Sequence, residues 1–319
     1  MDFSKHSLAA VIPAYRVERE IEETLRGLPD FIRYKIVVDD ASPDSTGEIL
    51  LRLAQRDPAI IALRHERNQG VGGAMLTGFR KALELGAEAV VKLDGDGQMD
   101  PAYIPALLAP LLEGKADYAK GNRFRDFDAL RAMPLIRRAG NLALSFLAKA
   151  ATGYWNVFDP TNGYFAIRAE TLQKLPLDEI DRRYFFETSM LSRLYLLDAA
   201  VADVPIPARY RGEASSLSIG RVLWEFPLKL TRVFWRRILL KYFIYDFSMM
   251  AVYLLTGVPL LLFGLTFGIV KWIQYASLGV PAPTGTVMLP TLCVILGIQI
   301  LLSAMEIDLN AAPRKEKTP

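Results

Sequence analysis

The chain has 319 residues, a formal net charge of +3, 51% hydrophobic residues and a mean hydropathy of +0.19. That length exceeds one typical domain, and the apolar share is high for a wholly soluble protein. The charge is too small to argue for a nucleic-acid partner, and one cysteine with two histidines leaves no disulfide framework and no thiolate or histidine zinc cluster.

From the N-terminus, Leu8-Pro13 is too short for a secretory apolar core and reads as a buried strand. Lys35-Asp39, Ile60-Arg64 and Ala89-Leu93 are further short β-branched or apolar runs. Between them Val17-Leu28, Ser45-Gln55 and Gly72-Leu85 carry helical periodicity. The order βαβαβαβ predicts a largely parallel sheet with helices on both faces and ligands at the carboxyl ends of the strands.

The fourth strand runs out into Leu93-Asp94-Gly95-Asp96-Gly97-Gln98. Continued strand alternation would point Asp94 and Asp96 the same way, with two glycines letting the backbone turn closely. Oxygen-only ligands favour Mg²⁺ or Mn²⁺ over zinc. Such an ion commonly neutralises a diphosphate, which points to nucleotide-dependent group transfer; a plain polar turn is the bland alternative.

Farther along, Arg221 to Tyr245 interleaves Trp224, Phe226, Phe234, Trp235 and Tyr242 with Lys229, Arg232, Arg236, Arg237 and Lys241. This composition suits helices lying in a membrane interface against lipid phosphates, with Pro227 expected to break the stretch into two. Phe247 to Val270 and Thr286 to Met305 are uncharged apolar runs long enough to cross a hydrocarbon core of about 30 Å. Pro259 and Pro290 bend such helices without forbidding a span. The connection Tyr275 to Gly285 has no Lys or Arg, whereas Arg236, Arg237 and Lys241 precede the first run and Arg314, Lys315 and Lys317 follow the second. The positive-inside rule then predicts both termini in the cytoplasm. The expected organisation is a cytoplasmic catalytic domain at 1–220, interfacial helices at 221–245 and a two-span anchor with a short tail at 246–319.

Val11-Ile12-Pro13-Ala14-Tyr15, Asp39-Asp40-Ala41-Ser42-Pro43-Asp44-Ser45-Thr46, Asn68-Gln69-Gly70-Val71-Gly72-Gly73-Ala74 and Asp94-Gly95-Asp96-Gly97-Gln98 follow one another at compatible spacing. Together they resemble the family-2 glycosyltransferases. Asp159-Pro160-Thr161-Asn162-Gly163-Tyr164 and the Arg/Ser-rich stretch after Pro205 look most like the branch that makes polyprenyl-phosphate sugars, including dolichol-phosphate mannose synthases. The resemblance implies a glycosyltransferase-A fold, a nucleotide-diphosphate sugar donor, a polyprenyl phosphate acceptor and inversion at the anomeric carbon on the cytoplasmic face. A transferase extending a lipid-linked glycan and a non-catalytic nucleotide-sugar-binding scaffold are the alternatives, and a homo-oligomer is compatible with all of them.

The resemblance also implies site roles. Pro13 and Tyr15 would face the base or ribose, with Asp40 accepting hydrogen bonds there. The usual Pro-x-Tyr-Asn-Glu is altered, since Arg16 and Val17 replace the Asn and Glu, and Glu18 is the candidate substitute. Asp94 would face ribose or metal, with Asp96 and Gln98 as direct metal ligands. Two anions must meet at the acceptor side, so guanidinium groups should supplement the cation. Arg123 and Arg138, then Arg209 or Arg211 with Ser216, match the phosphate-binding residues, though a lysine usual near the last pair is absent. Asp159 stands where the family nominates a base. A phosphate monoester is already mostly dianionic at neutral pH, so orientation of the acceptor is its expected role, with Glu187 in support.

Overall fold

In the computed structural model the described residues are 1–123, 135–206 and 219–315. They divide into two compact units, Met1–Phe234 with the stretch from Pro313, and Trp235–Ala312.

The first unit is built on seven strands: β1 Leu8–Ala14, β2 Tyr34–Asp39, β3 Ile60–Arg64, β4 Ala89–Lys92, β5 Tyr118–Asn122, β6 Phe165–Arg168 and β7 Val201–Pro205. Their spatial order is β3-β2-β1-β4-β6-β5-β7. Only β6 runs antiparallel to its neighbours. Helices α1 Ile21–Arg26, α2 Thr46–Arg56 and α3 Val71–Glu84 connect the first four strands. The chain leaves β1 for β2 on one side and later returns to β4 on the other. The carboxyl ends of β1 and β4 therefore flank the switch point, the crevice where open α/β sheets bind ligands.

Alternation along β1 shows why both sheet faces are covered. Ala9 and Val11 enter one core cluster, with Phe79, Phe165 and Phe186. Leu8, Ala10, Ile12 and Ala14 enter the opposite one, with Leu107 and Leu108 of α4 Ile104–Leu112. Near-continuous apolar strands buried on both faces are the mark of a covered parallel sheet. The unit also holds α5 Leu135–Thr152, α6 Ala169–Lys174, α7 Phe186–Leu196 and most of α8 Ile219–Leu239.

Helix α8 runs without interruption through Pro227 and passes into a π-helical turn, Leu240–Tyr245, so the expected break into two helices is not found. An interior proline removes one backbone bond at roughly 3 kcal/mol, which packing can offset. Here Leu230 is buried with Ala148, Ala151 and Phe185, and Phe226, Val233 and Phe234 pack against them.

In the second unit, α9 Met249–Leu278 and α10 Thr284–Asn310 form a hairpin, each longer than its apolar run. Both are long and apolar enough to cross a membrane, and their most apolar windows are only 11% and 22% buried, unlike core helices of a soluble protein. Glycines let the two backbones approach: a Cβ at Gly264 would lie 2.9 Å from Val294, and one at Gly297 2.8 Å from Leu261. The Arg237 guanidinium, 1% exposed, makes a bidentate pair with Asp308, which also accepts from the Tyr242 hydroxyl at 2.7 Å. One charge of the cationic cluster before α9 is thus neutralised inside the protein. In the first unit, Lys315 pairs with Asp117 at 2.8 Å.

Candidate active site

The crevice is assembled from loops that clasp one another. At the end of β1, Pro13 is half-buried and Tyr15 is 43% exposed, with the Arg16 guanidinium 5.4 Å from its ring centroid. Arg16 adopts φ 57°, and its backbone N–H donates to Ser42 Oγ at 3.1 Å. Val17 N–H donates to Thr46 Oγ1 at 3.1 Å, so the Ser and Thr of the Asp-Asp-x-Ser-x-Asp-x-Thr motif hold the β1 loop. Glu18 accepts from the Ser45 N–H at the start of α2, at 3.0 Å, where a helix N-terminus favours a carboxylate.

Asp40 is 3% exposed. Its Oδ1 meets His65 Nδ1 at 2.7 Å and accepts from Gln69 N–H at 2.8 Å; its Oδ2 accepts from Gly70 N–H at 2.7 Å. The carboxylate thus fastens the glycine-rich loop, and His65 is fixed in turn by Thr77 Oγ1 at 2.9 Å. The glycines answer to backbone proximity. Gly70 has φ 86°, and a Cβ there would lie 2.7 Å from the Arg182 carbonyl; at Gly72 it would lie 2.5 Å from the Asp181 carbonyl.

Strand β4 stops at Lys92, so Asp94 and Asp96 lie in a turn and strand alternation does not aim them. The turn is shaped by Gly95 N–H on the Pro13 carbonyl at 3.3 Å and by Gly97 at φ 69°. Asp94 Oδ1 is 2.7 Å from Lys92 Nζ and its side chain is 32% exposed. Gln98 is exposed, and its backbone N–H donates to Asp96 Oδ1 at 3.0 Å. Among the described residues, no three His, Cys, Asp or Glu side chains converge as a ready-made metal cage. The Asp96 carboxylate and Gln98 carboxamide are nonetheless a hard-oxygen set. Such donors, with Asp94 at hand, are of the kind that would hold a hard divalent cation.

Across the crevice, Arg123 follows β5 and grips Asp159. Its Nε donates to Oδ2 at 2.8 Å and its Nη2 to Oδ1 at 3.2 Å, while Thr161 Oγ1 lies 3.3 Å from Oδ1. Asp159 is fully buried, whereas the guanidinium is 37% exposed and faces outward in part. Two residues expected on the acceptor side are therefore brought together as one bidentate pair. The segment from Asp159 to Gly163 then crosses toward the turn. A Cβ at Gly163 would lie 2.5 Å from Lys92 Nζ and 3.5 Å from Asp94 Oδ2. Arg138 falls on α5, with its side chain outside the described residues; Arg209, Arg211 and Ser216 also lie outside them.

Beneath these loops are charges that strand patterns conceal. Burial works to lower the Lys92 ammonium, but Asp94 and Glu187, helped by Asp96, outweigh it and hold it above the ordinary lysine value. Burial dominates at Lys120 and brings it down to about 8, against the pull of Glu187 and Asp159. Burial likewise raises the Glu187 carboxyl, opposed by both lysines. Lys92 and Lys120 escaped sequence reasoning because a lysine near a strand end reads as solvent-facing. The Asp-Gly-Asp turn adjoining Lys92 was the available signal.

A doubly wound, mainly parallel sheet with a carboxylate turn at its switch point and an Arg–Asp pair alongside is the architecture of the glycosyltransferase-A fold. Residues 9–175 match the family described as Glycosyl transferase family 2, and the chain belongs to that family. The UDP-N-acetylglucosamine–dolichyl-phosphate N-acetylglucosaminyltransferase of Methanococcus voltae is 32% identical over 247 residues, 72% of this chain and 94% of that protein. The undecaprenyl-phosphate mannosyltransferase of Micrococcus luteus is 33% identical, over 70% of this chain and 91% of its own. The fold is shared with glucosyl-3-phosphoglycerate synthase from Mycobacterium tuberculosis, at a TM-score of 0.52 and 23% identity, covering 73% of this chain and 80% of that one.

Proposed function

We propose that this glycosyltransferase moves a sugar from a nucleotide-diphosphate sugar to a polyprenyl phosphate, with inversion, at the cytoplasmic face of a membrane. The supporting observation is the segment Asp159–Gly163, which bonds the Arg123 guanidinium at one end and at the other passes so near the Lys92–Asp94 pair that a Cβ on Gly163 would clash with Lys92. An arginine fork suited to a phosphate thus adjoins a carboxylate turn suited to a metal-bound diphosphate. Names of relatives that use dolichyl or undecaprenyl phosphate favour the same acceptor. Two helices able to span a bilayer keep the enzyme where such an acceptor resides.

When bound, Mg²⁺ or Mn²⁺ held by Asp96 and Gln98 would neutralise the leaving diphosphate. Pro13 and Tyr15 border the nucleotide, and Asp40 shapes its loop through the backbone. Arg123, with Arg138, Arg209 or Arg211, and Ser216, takes the acceptor phosphate. Asp159 orients that arginine and the acceptor oxygen, which needs little deprotonation, since the phosphate's second pKa is about 6. The catalytic part at 1–220, the interfacial stretch at 221–245 and both termini lie on the cytoplasmic side. The test is release of nucleoside diphosphate on mixing protein, donor, Mg²⁺ and lipid phosphate. Release that requires the lipid phosphate supports transfer; release indifferent to it contradicts the assignment.

A further inference from the structure

Lys92, Lys120 and Glu187 hold neither donor nor acceptor in the proposed reaction, yet they form the floor between the two half-sites. Lys92 on β4 and Lys120 on β5 both pair in register with Phe165 on β6. Directly paired residues share a face. The two ammonium groups therefore stand on one face of the sheet, on either side of a single phenyl ring. Their exposures are 1% and 0%. Two like charges stripped of water at that spacing need counter-charges to persist.

Glu187, in the first turn of α7, supplies one to both. Its Oε1 lies 3.9 Å from Lys92 Nζ, and its charge also draws on Lys120. Each lysine then reaches to a different half-site. Lys92 bonds Asp94 at 2.7 Å, in the donor turn. Lys120 donates to the Asn162 carbonyl at 2.5 Å, within the acceptor segment. Asn162 is itself clamped, its Nδ2 donating to the Gly121 carbonyl at 2.8 Å.

We propose that Glu187 is a positioning residue for sugar transfer: acting through Lys92 and Lys120, it ties the Asp94 turn to the Asp159–Gly163 segment and fixes the separation of donor and acceptor. The proposal rests on the transfer reading of this site. Its energetic basis is orientation, where a misplacement of about 1 Å can cost roughly a hundredfold in rate. The groups facing Lys120 are Glu187, Asp159, Lys92, Arg123, the Asn162 carbonyl and the rings of Tyr118 and Phe165. Burial already brings its ammonium down to about 8, so loss of the Glu187 charge moves it lower still.

The test uses the full chain with Glu187→Gln and Glu187→Asp. Glu187→Gln should lower kcat roughly ten- to a hundredfold while donor KM stays within about twofold. The basic limb of its kcat–pH profile should move to lower pH, and Glu187→Asp should restore part of both. Amide hydrogen exchange at Asp159–Gly163 should quicken in Glu187→Gln, a readout that needs no turnover. If Glu187→Gln does not fold, Lys120→Met carries the test, with the same faster exchange and loss of the basic limb that Lys120 supplies. Unchanged exchange in the folded variant overturns the proposal, as does a kcat and pH profile like the parent's. A parent that transfers no sugar defeats the transfer reading instead, and the exchange measurement still decides the coupling.

Discussion

Replacing Arg123 with alanine removes the charged partner of a buried carboxylate. Asp159 is fully buried, and the fork that holds it makes bonds of 2.8 and 3.2 Å. Removing one partner of a buried ion pair costs about 3–5 kcal/mol. The guanidinium is 37% exposed, so solvent screens that side, and about 2–3 kcal/mol is the better figure. For a domain of this size that is a drop in Tm of about 4–12 °C. Arg123→Ala, Asp159→Asn and the double variant, unfolded by urea in detergent micelles, form the cycle. The double variant should recover part of the loss, giving a coupling of at least about 1.5 kcal/mol. Transfer should fall roughly ten- to a hundredfold in Arg123→Ala. Arg123→Lys should rescue it only in part, because an ammonium lacks the planar fork. Additivity of the single variants within about 0.5 kcal/mol would refute the pairing argument. So would Arg123→Lys matching the parent in both stability and rate.

The metal assignment predicts that chelator abolishes transfer, that Mg²⁺ or Mn²⁺ restores it, and that Asp96→Asn loses most activity; full turnover in chelator contradicts it. Asp308→Ala removes the bidentate carboxylate partner of the buried Arg237 and should destabilise the helical hairpin by about 3 kcal/mol, read as loss of folded protein on heating. An unchanged melting profile would show that the pair contributes little. A cysteine at Ser277 should react with an impermeant reagent from outside the cell and one at Arg314 should not; the reverse labelling inverts the orientation.

What the sequence disclosed depended on how local the cause was. Strands β1 to β4 and their helices were legible because alternation and helical periodicity are set by nearest neighbours, and Phe79 or Val38 only confirms what spacing implies. The place of the Asp94–Gln98 turn was legible for the same reason. Its orientation was not, since the strand ends at Lys92 and the Pro13 carbonyl shapes the turn beyond it. Asp40 shows the converse case. A carboxylate after a strand suggests a ligand contact, and its partners His65 and two loop N–H groups add a loop-fastening role that only the folded chain reveals. Lys92, Lys120 and Glu187 come from three distant segments, so their grouping is not local; the Asp-Gly-Asp turn beside Lys92 hints at one member only. Pro227 was over-weighted because its local cost is visible in sequence, whereas the packing of Leu230 on Phe185 is not.

The central claim is tested most directly by the mass of the lipid product. The full chain in membranes or detergent is supplied with undecaprenyl or dolichyl phosphate, Mg²⁺ and a panel of nucleotide sugars. At least one donor should yield the polyprenyl phosphate carrying a single sugar residue, with one nucleoside diphosphate released per lipid product. A panel that leaves the lipid phosphate unmodified, while a preformed lipid-linked glycan gains a sugar, would contradict the claim.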